Sequence, residues 1–378
     1  MSGKCIIINE NVYITLGKQV LKVAGGFILP SKKEKVIVRE KITRYEKDIF
    51  QSDKLNEIAK ENNLLKSFNI LEEVLDSVET HIPQNCRDTY YKRLKNLKLR
   101  IIATEQFDKN SRVIVPASYS PEENTMYLST KTLCYFKDKF KEKYKGEDIN
   151  TIFNSYLKRV IIHELFHLAS SNIKDEDNSL YSGFVNFDNE KYLVSLNEAT
   201  TELLSEQVLR DRIFHQYAGY SLQMIILSEL SSIVGSEVIK ESYFKNDQCN
   251  LIKDKLLKII DNKEKVNELI NTFGYDNYLN DIYDGLDTIT QTQSLLLDFL
   301  EKKVNLLNTY YKFEEADNLI KFFDYNMSYL KKHNLYGKDF DTNEYKLMNI
   351  KKLNEIYYNS KLKQNNSLRI RNKKRKTK

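Results

Sequence analysis

Short apolar runs alternate with polar and turn-forming residues over the first forty positions of the chain. The runs 5–8, 12–16 and 35–39 have the length and composition of β-strands, and they surround a Gly-Gly pair and Pro30. Gly and Pro are typical of the loops that connect strands. The pattern therefore predicts a small β-rich N-terminal segment over residues 1–50.

The apolar pattern takes a helical period from about residue 53. Apolar side chains then recur every three or four positions, which predicts a helix, at Leu65, Phe68, Leu71, Val74, Leu75 and Val78. A second helical pattern over 90–97 leads into a predicted strand at 97–103. A hairpin should follow, with strands at 113–115 and Thr125–Ser129 on either side of the turn-forming cluster 121–124.

All four prolines lie in the first third of the chain, and the 257 residues after Pro121 contain none. Because Pro interrupts helices, long helices can form in this part of the chain. Apolar residues at helical spacing predict helices at 251–260, 266–273, 283–307 and 313–330. We therefore expect a mainly helical C-terminal region over 246–366.

The composition is that of a globular chain with more than one domain. The chain has 378 residues, of which 41% are hydrophobic and 30% charged. The first apolar run ends at Asn9, which is too short for a secretory signal, and no later run approaches the roughly 18 apolar residues of a membrane helix. A soluble cytoplasmic protein is expected. The four Cys are far apart and predict neither a disulfide framework nor a Cys-zinc site.

Positive charge is concentrated at the C-terminus. The net charge is +6, and seven Lys or Arg residues lie within 367–378, so the rest of the chain is close to neutral. Such a segment predicts a disordered, solvated basic tail. Weak contact with nucleic acid or an anionic membrane surface is the alternative, because a short basic run releases counterions without reading sequence.

An H-E-x-x-H pentapeptide at 163–167 lies inside an apolar run of helical period. His163 and His167 share one helix face, so both imidazoles can bind one metal ion. Glu164 is rotated by about 100° from His163, and its carboxylate can reach a metal-bound water without becoming a ligand. The motif predicts a metal site with Glu164 as general base, and a hydrogen-bonded His pair is the alternative.

A second acidic motif begins about 30 residues after the first. Glu198 and Glu202 are an i, i+4 pair in the segment S-L-N-E-A-T-T-E-L-L. A catalytic zinc needs a third protein ligand, which Glu198 can provide. Glu202 can accept a hydrogen bond from the second ring nitrogen of a ligand imidazole, and Asn197 is a further candidate to support the ligands. An exposed Glu pair on an amphipathic helix is the alternative.

Together, H-E-x-x-H and N-E-A-x-x-E resemble the gluzincin metallopeptidases, the thermolysin-like clan, whose second motif is N-E-x-x-x-D. The resemblance covers roughly residues 65–245. It implies one zinc ion bound by His163, His167 and Glu198, with Glu164 as general base. Glu202 stands where the family has Asp, so its side chain is one methylene longer.

The resemblance also implies that the strand before the active-site helix is a sheet edge that borders the cleft. A peptide substrate can add to such an edge through main-chain hydrogen bonds. The candidate substrate-binding strand consists of Thr125, Met126, Tyr127, Leu128 and Ser129. A Tyr or His commonly stabilises the oxyanion in zinc peptidases. Tyr220 is the first candidate for that role, followed by Tyr217, His215 and Tyr192.

These expectations combine into an α+β protein with a zincin-like catalytic domain over 51–245. That domain would contain a small mixed sheet, an active-site helix and a second ligand-bearing helix, and it would hydrolyse peptide bonds of a peptide or protein substrate. Two other functions remain open. Non-haem Fe(II) oxygenases also bind their metal with two His and one carboxylate. A non-catalytic binding protein could use zinc only to hold helices together.

Overall fold

The computed structural model is a mixed α+β protein that is mostly helical, with three small sheets among the residues that it describes. It describes residues 4–8, 11–16, 19–25, 66–102, 116–174, 178–187, 191–209, 221–274 and 282–376.

An antiparallel sheet of order β1-β2-β3 lies at the N-terminus. Its strands are β1 (Lys4–Ile8), β2 (Asn11–Leu16) and β3 (Gln19–Gly25). The predicted strands at 5–8 and 12–16 are confirmed. The third strand was missed because its end contains Gly25, which favours a loop. The strand predicted at 35–39 lies outside the described residues.

Two helices and a strand precede the motif region. They are α1 (Lys66–Glu79), α2 (Arg87–Lys95) and β4 (Lys98–Ile102), as the apolar pattern predicts. The hairpin strands are β5 (Ala117–Ser120) and β6 (Thr125–Ser129). The first of these lies four residues later than the predicted strand at 113–115, which is outside the described residues.

The order of this sheet is β4-β6-β5, which corrects the expectation for Thr125–Ser129. Strand β6 is the central strand and not an edge. It pairs in parallel with β4, with Leu99 opposite Met126, and antiparallel with β5, with Ser118 opposite Tyr127. The prediction failed because β6 returns beside the earlier strand β4, a long-range pairing that the local pattern does not contain. Among the described strands, β5 is therefore the edge on the hairpin side.

Helix α4 (Ile149–Ala169) follows helix α3 (Thr130–Lys143) and carries the H-E-x-x-H motif. Asp148 caps its N-terminus by accepting a hydrogen bond of 3.0 Å from the backbone N–H of Asn150. Thirteen of its 21 residues are buried, on all sides of the helix. It packs against α1, α2, α3 and β5, which makes it the central element of this part of the protein.

A small antiparallel sheet of order β10-β9-β8-β7 follows the motif helix. Its strands are β7 (Ser171–Ile173), β8 (Leu180–Ser182), β9 (Val185–Asn186) and β10 (Lys191–Tyr192). Each has only two or three residues, which is too short for a recognisable apolar period. Helix α5 (Val194–Leu209) then returns alongside α4 and carries the second acidic motif.

The rest of the described chain is helical, which confirms the prediction for the C-terminal region. Its helices are α6 (Ser221–Val234), α7 (Ser236–Lys245), α8 (Asn250–Leu257), α9 (Lys263–Thr272), α10 (Ile282–Thr309), α11 (Phe313–Lys332) and α12 (Phe340–Lys376). None of the described helices is by itself long and apolar enough to cross a membrane, and one bent pair, Leu222–Val234 with Ser236–Lys245, meets the length and composition criteria jointly.

Helix α12 corrects the expectation of a disordered tail over 367–378. Its backbone remains helical to Lys376. From Lys338 to Lys376 the chain contains neither Gly nor Pro, and it is rich in Lys, which is a good helix former. Helix propensity therefore outweighs charge repulsion along this segment.

Candidate metal centre

The two motifs meet where α4 and α5 lie side by side. The Nε2 atoms of His163 and His167 are 3.1 Å apart. Glu198 on α5 places its Oε2 atom 3.2 Å from His163 Nε2 and 3.4 Å from His167 Nε2. Three potential ligand atoms, which come from segments about 30 residues apart, therefore surround one point.

This spacing fits a tetrahedral zinc ion. Ligand atoms at about 2.0–2.1 Å from a tetrahedral zinc lie about 3.3 Å from one another, close to the three measured distances. Two imidazole nitrogens and one carboxylate oxygen also form a ligand set that zinc prefers. The three side chains remain 11–16% exposed, which would leave room for water or substrate as a fourth ligand of an ion bound there.

Charge and burial act in opposite directions on the candidate ligands. Burial favours a raised pKa for Glu198, but the two imidazoles outweigh it and hold the pKa well below its usual range. Burial alone would lower the pKa of His167, yet the neighbouring Glu198 and Glu164 raise it. The cluster therefore pairs an ionised carboxylate with imidazoles in a partly desolvated site.

Glu164 lies beside this cluster but is not one of the three converging residues. Its side chain is buried at 6% exposure, and burial raises the pKa of the carboxyl group. His163, His167 and a hydrogen bond from the backbone of Tyr119 act in the opposite direction. Because Tyr119 belongs to β5, the carboxylate connects the motif helix to the edge strand of the sheet.

The structure brings Glu202 against the outer nitrogen of a candidate ligand. Its Oε2 atom lies 3.0 Å from His163 Nδ1. An ionised carboxylate only accepts, so with a metal ion on Nε2 the Nδ1 atom would carry the proton and donate it to Glu202. The other carboxylate oxygen, Oε1, forms an ion pair with buried Arg159. The Glu202 side chain, which is one methylene longer than the Asp of the related motif, therefore lies at the second ring nitrogen of a candidate ligand, as the motif predicts.

Asn197 also lies at the site, where it joins α5 to the turn between β8 and β9. Its Oδ1 atom accepts a hydrogen bond of 3.0 Å from the backbone N–H of Phe184, and its Nδ2 atom is 3.5 Å from His167 Nδ1. The preceding residue, Gly183, has φ +57°, and a Cβ atom there would be 2.1 Å from Asn197 Oδ1. Gly183 thus permits this close approach.

Tyr243 on α7 is a supporting residue that the sequence did not reveal. It is fully buried, its hydroxyl group lies 2.8 Å from Thr201 Oγ1, and it donates a hydrogen bond of 3.2 Å to the Phe166 carbonyl oxygen. It therefore links α4, through Phe166, to α5, through Thr201, next to the helix turns that carry the candidate ligands. No motif could have identified it, since it is one of 25 Tyr residues in the chain.

The remaining predicted site residues have different outcomes. Tyr220, Tyr217 and His215 lie in 210–220, outside the described residues, and only the backbone of Tyr192 is described. The edge position expected for Thr125, Met126, Tyr127, Leu128 and Ser129 is wrong, because their strand is paired on both sides, and four of these five side chains are buried.

Comparison of the chain with protein-family models, curated proteins and solved structures finds no match. The functional assignment therefore depends on the geometry of the site and the two motifs.

Proposed function

We propose that this protein is a zinc-dependent metallopeptidase of the gluzincin type, with a zincin-like catalytic domain over 51–245. The observation that carries the proposal is the convergence of His163, His167 and Glu198, at spacings that suit tetrahedral zinc. A buried carboxylate that is not a ligand, Glu164, lies beside them. A purely structural zinc site has no use for such a residue, whereas hydrolysis requires a base.

In this proposal, different residues of the site bind the metal, transfer the proton and orient a ligand. His163, His167 and Glu198 would hold a zinc ion, which would supply Lewis-acid chemistry by polarising the scissile carbonyl group and making the attacking water more acidic. Glu164 accepts the proton of the attacking water and then transfers it to the leaving amine. Glu202 orients His163 and keeps the proton on its Nδ1 atom.

Strand β5 replaces Thr125–Ser129 as the candidate substrate-binding strand. It is an edge of the sheet among the described strands, it packs against α4, and the backbone of Tyr119 lies at Glu164. An extended peptide that adds to this edge would be held by main-chain hydrogen bonds, with little dependence on its side chains. Its scissile bond would then lie close to the candidate base.

Metal analysis combined with peptide cleavage tests this function. Purified full-length chain should contain about one zinc ion, and it should cleave members of a proteome-derived peptide library. A chelator should abolish cleavage, and added zinc should restore it. Iron as the bound metal, with no hydrolysis, would favour the oxygenase. Bound zinc without cleavage of any library member would favour a structural site.

A further inference from the structure

A buried cation lies one helical turn before the first candidate ligand. Arg159 is 5% exposed and precedes His163 by four residues on α4, so the two side chains share one helix face. Its guanidinium group forms an ion pair with Glu202 and lies 3.7 Å from the carboxylate of Glu206, both on α5. Charged side chains are seldom buried this deeply unless they are paired.

The two oxygens of Glu202 have different partners. Oε1 pairs with Arg159, and Oε2 lies 3.0 Å from His163 Nδ1. A carboxylate whose two oxygens both have partners is restricted to one orientation. A Glu side chain with a partner at only one oxygen can adopt several rotamers. Arg suits the anchoring role because it stays protonated and only donates hydrogen bonds.

Arg159 is too deeply buried to contact a substrate, so it can act on the site only through other residues. We propose that Arg159 is a positioning residue for the metal centre: it fixes Glu202, which in turn fixes the orientation and tautomer of His163. This inference rests on the proposed function. It also explains how Glu can replace the Asp of the related motif, since the ion pair restrains the additional methylene.

A double-mutant cycle on zinc affinity tests the proposal. The variants are Arg159→Met, Glu202→Gln and the double variant, each measured as the full chain by competition with a chelator. Each single change should weaken zinc binding by about 10–100-fold. The double variant should bind zinc no more weakly than Glu202→Gln alone, because both changes interrupt the same series of contacts from Arg159 through Glu202 to His163.

Lys158→Met is the matched control. It removes one positive charge from the neighbouring position of α4, where Lys158 pairs with Glu73 and not with the metal site. Zinc affinity should remain within about twofold of the wild type. Arg159→Lys keeps the charge but loses the planar fork, so its loss should be smaller than that of Arg159→Met. This variant also serves for the comparison if Arg159→Met does not fold.

The outcomes separate this inference from the proposed function. If the wild type binds zinc and cleaves peptides while folded Arg159 variants keep wild-type affinity, the positioning role is wrong and the function stands. If the losses of zinc affinity in the two single variants multiply in the double variant, then Arg159 and Glu202 do not act through the same contact to His163, and the proposal is also wrong. If the wild type binds no zinc, both proposals fail.

Discussion

At the residue scale, Glu198 and Glu202 look alike in sequence but contact different atoms. Glu198 approaches the Nε2 atoms of both His163 and His167, whereas Glu202 approaches the Nδ1 atom of His163 alone. Nε2 is the nitrogen that faces the other candidate ligands, and Nδ1 faces away from them. The geometry thus favours Glu198 as the candidate ligand and Glu202 as a residue that supports His163.

We therefore predict that Glu198→Ala weakens zinc binding far more than Glu202→Ala does. Loss of a ligand removes a bond to the metal, while loss of its supporting hydrogen bond typically costs about 10–100-fold in affinity. Competition with a chelator of known affinity ranks the two variants. Equal losses, or a larger loss for Glu202→Ala, would remove Glu198 from the site.

Gly183 gives a second prediction at this scale. Gly183→Ala should destabilise the protein by at least about 1–3 kcal/mol, because a Cβ atom would meet both Asn197 and Tyr243 and the residue has φ +57°. Gly146→Ala is the matched control, since Gly146 has φ +92° but nothing within 4 Å of its added Cβ. Thermal unfolding of both variants measures the difference. Equal shifts would show that backbone strain alone, and not the close approach, makes Gly183 necessary.

At the element scale, the buried carboxyl group of Glu229 links the C-terminal helices. Glu229 on α6 is fully buried, with Gln293 on α10 and Asn326 on α11 as its polar neighbours. Burial raises the pKa of Glu229 to about 8, and the two amides offset only part of this effect. The group is therefore protonated in the folded protein at neutral pH.

This protonation predicts a pH-dependent stability. The unfolded carboxyl group titrates near its ordinary pKa of about 4.5, so unfolding releases a proton between pH 4.5 and 8. The free energy of unfolding should fall by on the order of a few kcal/mol as pH rises through this window. Above the window it should level off. Glu229→Gln should remove this dependence and unfold at a higher temperature than the wild type at pH 8.

Denaturation curves from pH 5 to 9 measure the effect, with exposed Glu241→Gln on α7 as the control. A wild-type stability that falls no more steeply over pH 5–8 than that of Glu229→Gln would contradict the prediction.

Most helices and the cluster of candidate metal ligands could be predicted from the sequence, but the order of the strands could not. His163, His167 and Glu198 belong to local motifs on helices, whose period of 3.6 residues places side chains on a face without knowledge of the fold. The sheet order depends on the pairing of β4 with β6, which joins residues 27 positions apart, as Leu99 and Met126 show. The local pattern alone therefore favours β6 as the edge strand, whereas the long-range pairing makes β5 the edge.

Arg159 and Tyr243 were missed for a related reason. Each reaches the site across helices, and neither belongs to a motif with a recognisable spacing. Buried polar residues of this kind acquire their role from contacts with distant parts of the chain. A sequence pattern can identify the candidate ligands, but it does not identify the residues that hold them in place.

At the scale of the whole molecule, the basic end of α12 lies far along the sequence from the residues of the candidate metal centre. It also differs from them in charge, because it carries a run of positive residues. Residues 355–360 are all exposed, and the last described contacts of this helix with the rest of the protein are those of Tyr358 with the Phe313 ring and of Lys361 with the Tyr311 ring, before the seven positive charges of 367–378 begin. We propose that this end contributes only to contacts with nucleic acid or anionic surfaces.

Deletion of residues 367–378 should therefore leave cleavage of a short uncharged peptide and the unfolding temperature unchanged. Binding to DNA or to anionic vesicles should weaken, and in the full chain it should decline steeply as salt rises. A truncated protein with a lower unfolding temperature or slower peptide cleavage would show that the end of α12 packs on the rest of the protein.

The most direct test of the central claim is the effect of Glu164→Gln on zinc content and hydrolysis, measured on the same preparation. Removal of the base but of no ligand should lower the hydrolytic rate by about 10²–10⁴-fold, while about one zinc ion per chain stays bound. Glu241→Gln should retain both properties. Undiminished turnover in the Glu164→Gln variant, or loss of its zinc while it remains folded, would contradict the role of Glu164 and with it the proposed mechanism.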